Sequence, residues 1–331
     1  MLAGIRNSTA SAYNSAQKQY IQFCQAHGFQ ILPTDQVLCL RYIAYLDKKG
    51  LTSGSVNIAL AAIRNLHIIN GFPEPCLRSG KIKLAIKAMS EKHCPVQKEP
   101  ITFSVLQMIW PALEKIQDSE LWKAVICVGF FGGLRGSEYT HGNIQDPKMP
   151  YLSQILVLNH GKILQFKIVK SKTSAHGFTK YLGCTGINIC PVCTLITYLS
   201  KRSNSVSLAN SQSLFIDSKN CLVSKAMLNK TIKNLVASLG LNCHSYSAHS
   251  LRAGAATTAA QLGLNDWEIK SLGSGNHPLS TNTFGFQIQT WLTYQKNSHV
   301  KTHFNGRCFA VGLGPIKKCQ NVKSRSISCK W

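Results

Sequence analysis

Acidic residues are the scarce class in this chain. Its 331 residues hold 13 Asp and Glu against 37 Lys and Arg, a formal net charge of +24. No paired carboxylates stand out, which argues against chemistry by a carboxylate acid–base couple. The chain has no GxxxxGK[ST] phosphate loop, so a nucleotide site of that kind is not expected. No apolar run approaches the length of a membrane span. Met1-Leu2-Ala3-Gly4-Ile5-Arg6 leads into no long apolar segment, so a secretory signal is not expected either. The 13 cysteines are odd in number and irregularly spaced. They read as reduced thiols of an intracellular protein rather than a disulfide framework. Cys190-Pro191-Val192-Cys193 is a CxxC without a well-spaced second pair, and reads as two thiols at a helix start rather than a metal site.

The cationic surplus is spread along the chain and not confined to a tail. Such a surface is the electrostatic footprint of a nucleic-acid binder; an anionic membrane surface or a ribosome-type partner are the alternatives. Hydrophobic content of 44% is enough to bury real cores, and the length allows two domains.

The first ninety residues read as helical throughout. Tyr13, Ala16, Tyr20 and Phe23 recur at helical spacing between about Thr9 and His27. A second helix is expected over about Thr34–Lys49 with Val37, Leu40, Ile43 and Ala44 inward. A third is expected over Ser53–Asn70 with Val56, Ala59, Leu60, Ile63 and Leu66 inward. A fourth, over Leu77–Glu91, carries Arg78, Lys81, Lys83 and Lys87. The polar stretch Glu91–Pro100 marks a linker. After it, Thr102 caps a new helix, and a helix over Ser119–Phe131 runs into Gly132-Gly133-Leu134-Arg135. Alternating apolar stretches over Gln154–Asn159, Lys162–Lys170 and Phe178–Leu182 predict a small antiparallel sheet. Ser213–Ile216 reads as a further short strand. Helices are expected over Cys190–Lys201, Ser224–Leu239, His249–Leu262 and Leu264–Leu272. Beyond Val300 the tail is basic and aperiodic.

His249 and Arg252 stand three apart at the start of an Ala-rich helical run, so both point to one spot. A guanidinium fork and an imidazole can hold a phosphate there. Alone, the pair more often marks a capped helix start with a solvated Arg. The same domain also offers Arg135 after a glycine break, Lys172 in a strand connection, and Tyr294. Cations plus one phenol suit attack of a tyrosine on a phosphodiester. Two arginines neutralise the non-bridging oxygens, a lysine protonates the departing 5′ oxygen, and a histidine manages the phenol proton.

In this order the residues resemble the tyrosine recombinases, or phage integrases. Gly133-Leu134-Arg135-Gly136-Ser137-Glu138 is similar to the family's first arginine box, Ser171-Lys172-Thr173 to its sheet lysine, and His249-Ser250-Leu251-Arg252-Ala253-Gly254 to its HxLR box. Tyr181-Leu182-Gly183 followed by Cys190-Pro191-Val192 resembles the eukaryotic branch of DIRS-like and Crypton-like mobile elements. The resemblance spans about Thr9–Ser298. It implies a mainly α fold with a small antiparallel sheet: a helical core-binding domain over 1–95, an α+β catalytic domain over 96–300, and a basic tail over 301–331. It also implies double-stranded DNA as partner, a homo-oligomer on that DNA, a nuclear location, and cleavage and rejoining through a 3′-phosphotyrosyl link with no metal or cofactor.

The segment after Leu272-Gly273 departs from the family pattern, in which a His, or Arg-Trp, follows almost at once. One register keeps Tyr294 as nucleophile and needs an insertion before it. The other lets His277 stand for the missing ring and puts Phe286, which has no hydroxyl, in the nucleophile's place. The catalytic set is then Arg135, Lys172, His249, Arg252, His277 and Tyr294. The competing expectation is a catalytically impaired DNA-binding protein derived from such an enzyme.

Overall fold

A computed structural model of the chain describes residues 7–75, 77, 79–92, 97–141, 150–169, 174, 176–203 and 212–274. Its contacts divide into two units, 1–96 and 97–331.

The first unit holds four helices: α1 (Asn7–His27), α2 (Gln36–Lys48), α3 (Ser53–Ile69) and α4 (Gly80–Lys92). Local chemistry starts two of them. Asp35 Oδ1 accepts the Leu38 amide at 2.7 Å, and Thr52 Oγ1 accepts the Ser55 amide at 3.4 Å. Tyr20 and Phe23 of α1 meet Tyr42, Ile43 and Leu46 of α2 and Val56, Leu60 and Ile63 of α3 in one core. Here α2 corrects the expected face. Cys39, Tyr42, Ile43 and Leu46 are buried, whereas Val37 is 55% exposed. The large ring of Tyr42 packs edge-on against Tyr20 at 5.1 Å, and burying it rotates the helix away from the Val37 stripe. Lys81, Lys83 and Lys87 face solvent on α4.

The second unit runs α5 (Phe103–Leu113), α6 (Ser119–Phe131), the short α7 (Gly136–Tyr139), β1 (Ile155–Leu158), β2 (Ile163–Ile168), β3 (Phe178–Gly183), α8 (Pro191–Ser203), α9 (Lys225–Ala237), α10 (Ala248–Gln261) and α11 (Asp266–Ser274). The sheet is antiparallel in the order β1-β2-β3, with Val157 opposite Leu164 and Leu164 opposite Leu182. The apolar α6 is the central element. It is buried from Leu121 to Phe131 except for Lys123, with α8, α10 and α5 packed on it.

The stretch 213–216 forms only isolated pairings, Ser213 with Tyr151 and Ile216 with Leu222. Its backbone is satisfied partly by other backbone, the Leu214 amide donating to the Pro150 carbonyl at 2.7 Å and the Phe215 carbonyl accepting the Val223 amide at 3.1 Å, and partly by side chains. Arg202 Nη1 donates to the Ser213 and Leu214 carbonyls at 2.5 and 2.9 Å, and the Tyr198 hydroxyl accepts the Ile216 amide at 2.9 Å. The architecture is mainly helical with one small antiparallel sheet. Among the described residues no helix is long and apolar enough to cross a membrane.

Candidate active site

The HxxR pair sits in the first turns of α10. Two neighbours fix that turn. The Ser247 amide donates to Ser250 Oγ at 3.1 Å, and Asn229 of α9 accepts the Ala248 amide at 2.7 Å. These contacts satisfy amides that a helix start leaves open and hold His249 and Arg252 in register. On its other side the segment entering α5 lies along α10, with the Ile101 amide donating to the Ser250 carbonyl at 2.9 Å.

Arg135 reaches the same place from the end of α6. Gly133 has φ +55°, and a Cβ there would stand 2.8 Å from the Leu272 carbonyl oxygen, so the turn accepts only glycine without strain. The Gly133 carbonyl in turn accepts Arg252 Nη1 at 2.7 Å. Glu138 then grips Arg135 twice: Oε2 accepts its backbone amide at 2.8 Å, and Oε1 accepts Nη1 at 2.9 Å. The Glu138 side chain is only 2% exposed, so this ion pair is sheltered from screening on one side.

The electrostatics follow from that packing. Burial, then the nearby Arg135 charge, pulls Arg252 below the usual guanidinium range, with Glu138 opposing. His249 is pushed below its ordinary value by partial desolvation first, then by Arg252, Lys225 and Arg135. In the free protein the imidazole is therefore neutral near pH 7, and it can accept a proton. An anion seated among these groups would offset the mutual repulsion of the cations and draw the His249 pKa back up.

Lys180 is a residue that the sequence reading passed over. It lies on β3, is 2% exposed, and donates through Nζ to the Ser271 and Leu272 carbonyls at 2.9 and 2.6 Å. The sheet is thereby tied to the last turn of α11, next to the Gly133 turn. Burial first, then Arg252, lowers its pKa to about 7, with Glu138 opposing. Between about pH 7 and the ordinary lysine value, the unfolded chain holds a proton that the folded chain has released. Raising the pH across that window favours folding. Paired denaturant titrations at the two ends of the window should show wild type gaining stability relative to Lys180→Met as pH rises; a parallel pair of curves would refute the burial account.

The structure thus brings together Arg135, His249 and Arg252, and adds Glu138, Lys180, Lys225 and Asn229 around them. Lys172, His277 and Tyr294, together with Phe286, lie outside the described residues.

No protein-family model matches the chain. The integrase/recombinase XerD homolog of Selenomonas ruminantium is 27% identical over 273 residues, covering 77% of this chain and 74% of that protein. Among solved structures, the Tn1549 transposon integrase in complex with transposon right end DNA aligns with a TM-score of 0.55, 10% identity, and coverage of 88% of this chain and 94% of that one. The XerH site-specific recombinase bound to difH substrate gives 0.51 at 15% identity, covering 80% and 70%. A lambda integrase dimer bound to a COC′ core site gives 0.52 at 14% identity, covering 86% and 90%. The fold is that of the tyrosine recombinases. The relative points toward the tyrosine recombinase/integrase family, and these structures show the fold. Within this recombinase fold the Arg135, His249 and Arg252 cluster lies wholly in the larger unit, 97–331.

Proposed function

We propose that the chain cuts and rejoins double-stranded DNA as a tyrosine recombinase. The observation that carries this reading is the convergence of Arg135, His249 and Arg252 from separate elements, with Arg252 and Arg135 both close enough to lower the His249 pKa. The two guanidinium forks bind the non-bridging oxygens of the scissile phosphate and stabilise the charge that builds there. Tyr294 attacks the phosphorus, and its phenol proton passes to His249. The bond to the 5′ oxygen breaks, Lys172 supplies the proton that oxygen needs, and a 3′-phosphotyrosyl ester remains. Attack by a second 5′ hydroxyl reverses these steps and rejoins the strand. His277 is a further proton-handling group in this scheme. Supporting it, the XerD homolog is named an integrase/recombinase, the Tn1549 integrase is described in complex with transposon right end DNA, XerH bound to difH substrate, and lambda integrase as a dimer bound to a COC′ core site. A homo-oligomer on DNA, a eukaryotic mobile-element origin and a nuclear location belong to the same reading.

The test is a pool of nicked duplexes of randomised sequence, in which loss of a short strand traps the covalent intermediate. A detergent-resistant protein–DNA adduct is expected, and Tyr294→Phe should abolish it while duplex binding persists. Duplex binding without any adduct would favour the register that puts Phe286 in the nucleophile's place, and with it a binding-only protein.

A further inference from the structure

The CxxC at the start of α8 is not alone. Cys184, just past the end of β3, brings a third thiol to Cys190 and Cys193, and the three sulfurs lie within 4.8 Å of one another. Cys184 Sγ stands 3.6 Å from Cys190 Sγ and 3.7 Å from Cys193 Sγ. Sulfurs bound about 2.3 Å from one tetrahedral zinc stand about 3.8 Å apart, so these separations are those of ligands sharing an ion. A second feature points the same way. The amides of Thr185 and Cys193 both donate to Cys190 Sγ at 3.4 Å. Amides aimed at a sulfur stabilise its thiolate and fix its direction, as the groups behind metal ligands do. The loop that carries them is itself closed, because Thr185 Oγ1 donates to the Ile189 carbonyl at 2.9 Å. Cys184 is anchored to the sheet through its amide, which donates to the Lys162 carbonyl at 2.8 Å.

We propose that Cys184, Cys190 and Cys193 form a binding site for a thiophilic divalent cation of the zinc type, which staples the end of β3 to the start of α8. Binding displaces the thiol protons to solvent, and three thiolates ligate the ion. Among the described residues no fourth His, Cys, Asp or Glu joins the cluster, so water or a donor outside them takes the fourth position. A Cys184 sulfur within 3.7 Å of both others suits a shared centre better than a disulfide, which would pair two and leave one over.

The experiment uses the full chain, reduced, with cobalt(II) as spectroscopic probe and then zinc. Cobalt should give thiolate charge-transfer bands and the intense visible bands of tetrahedral coordination, which one equivalent of zinc bleaches. In the zinc form Cys184, Cys190 and Cys193 should resist alkylation as read by peptide mass spectrometry, whereas the exposed Cys221 reacts. Cys190→Ser should lose the cobalt spectrum and Cys221→Ser should keep it. The alkylation map is read on the wild type, so it decides the matter even if Cys190→Ser does not fold. Absence of tetrahedral bands, zinc protection of other cysteines in place of these three, or recovery of two of them as a disulfide with the third free would overturn the site.

Discussion

Arg252→Ala should cut the rate of DNA strand cleavage by about a hundredfold to a thousandfold, the usual cost of losing one donor aimed at a developing oxyanion. Duplex affinity should change far less. The chain carries a net charge of +24, so one cation among many is lost from the phosphate contacts. The structure supplies the reason for the split. Arg252 is pinned through Nη1 to the Gly133 carbonyl, and it is held near Arg135 although each opposes the other's charge. Glu138 offsets that repulsion only in part, so a phosphate that arrives meets a guanidinium already held in position. Single-turnover cleavage of the nicked substrate and fluorescence anisotropy across a salt series separate the two effects. The salt slope of binding should fall by about one. If cleavage and affinity fall together by the same factor, Arg252 is a general backbone contact and its assignment to the scissile phosphate fails. Arg252→Lys should fall between wild type and Ala, because it keeps the charge and loses the fork.

How far the sequence reveals this site depends on the kind of residue. Arg135, His249 and Arg252 are legible because each lies in a short box with a structural cause: a glycine turn that only glycine accepts at Gly133, and a capped helix start at Ser247. Glu138 was legible in principle, three residues past Arg135, where a side chain reaches back to the start of a helical turn. Lys180 is harder. A lysine in a strand reads as solvent-facing by default, yet its register places it on the face of Leu182, which is buried. The third thiol, Cys184, matches no standard ligand spacing to Cys190; the closed loop over 185–189 brings it in. The helices were legible from apolar spacing and caps, but spacing does not say which of two overlapping stripes faces inward. On α2 the aromatic Tyr42 decided that, at the expense of Val37. The stretch 213–216 read as a strand by composition, but its partners are scattered: the backbone of Pro150 and Val223 and the side chains of Arg202 and Tyr198, a set that no local pattern encodes.

Gly254→Ala should destabilise the larger unit by about 3 kcal/mol, the upper part of the range for forcing atoms into a packed interior. The glycine follows the HxxR pair by two residues, in the middle of a helix, where alanine is ordinarily favoured by about 1 kcal/mol. Packing reverses that sign. A Cβ at Gly254 would fall on the carbonyl of Ile101 and within 2.9 Å of the Thr102 nitrogen. Those atoms are backbone and cannot swing aside. The segment is tied on both sides of the contact, by the Ile101 amide to the Ser250 carbonyl at 2.9 Å and by the Phe103 amide to Thr258 Oγ1 at 2.9 Å. Relief therefore requires the entering strap to lift off α10, and with it the helix that holds His249 and Arg252. Tryptophan fluorescence reports this unit selectively, because no tryptophan occurs before Trp110 and both Trp110 and Trp122 are buried in its core. Gly54→Ala is the control of opposite sign. In α3 nothing but Thr52 Oγ1 comes within 4 Å of the added atom, at 3.9 Å, so the substitution should stabilise its helix by about 0.5–1 kcal/mol, read by circular dichroism. A Gly254→Ala protein as stable as wild type would mean that the strap does not lie against α10 as the structure has it, and that the HxxR pair is positioned by α10's other neighbours alone.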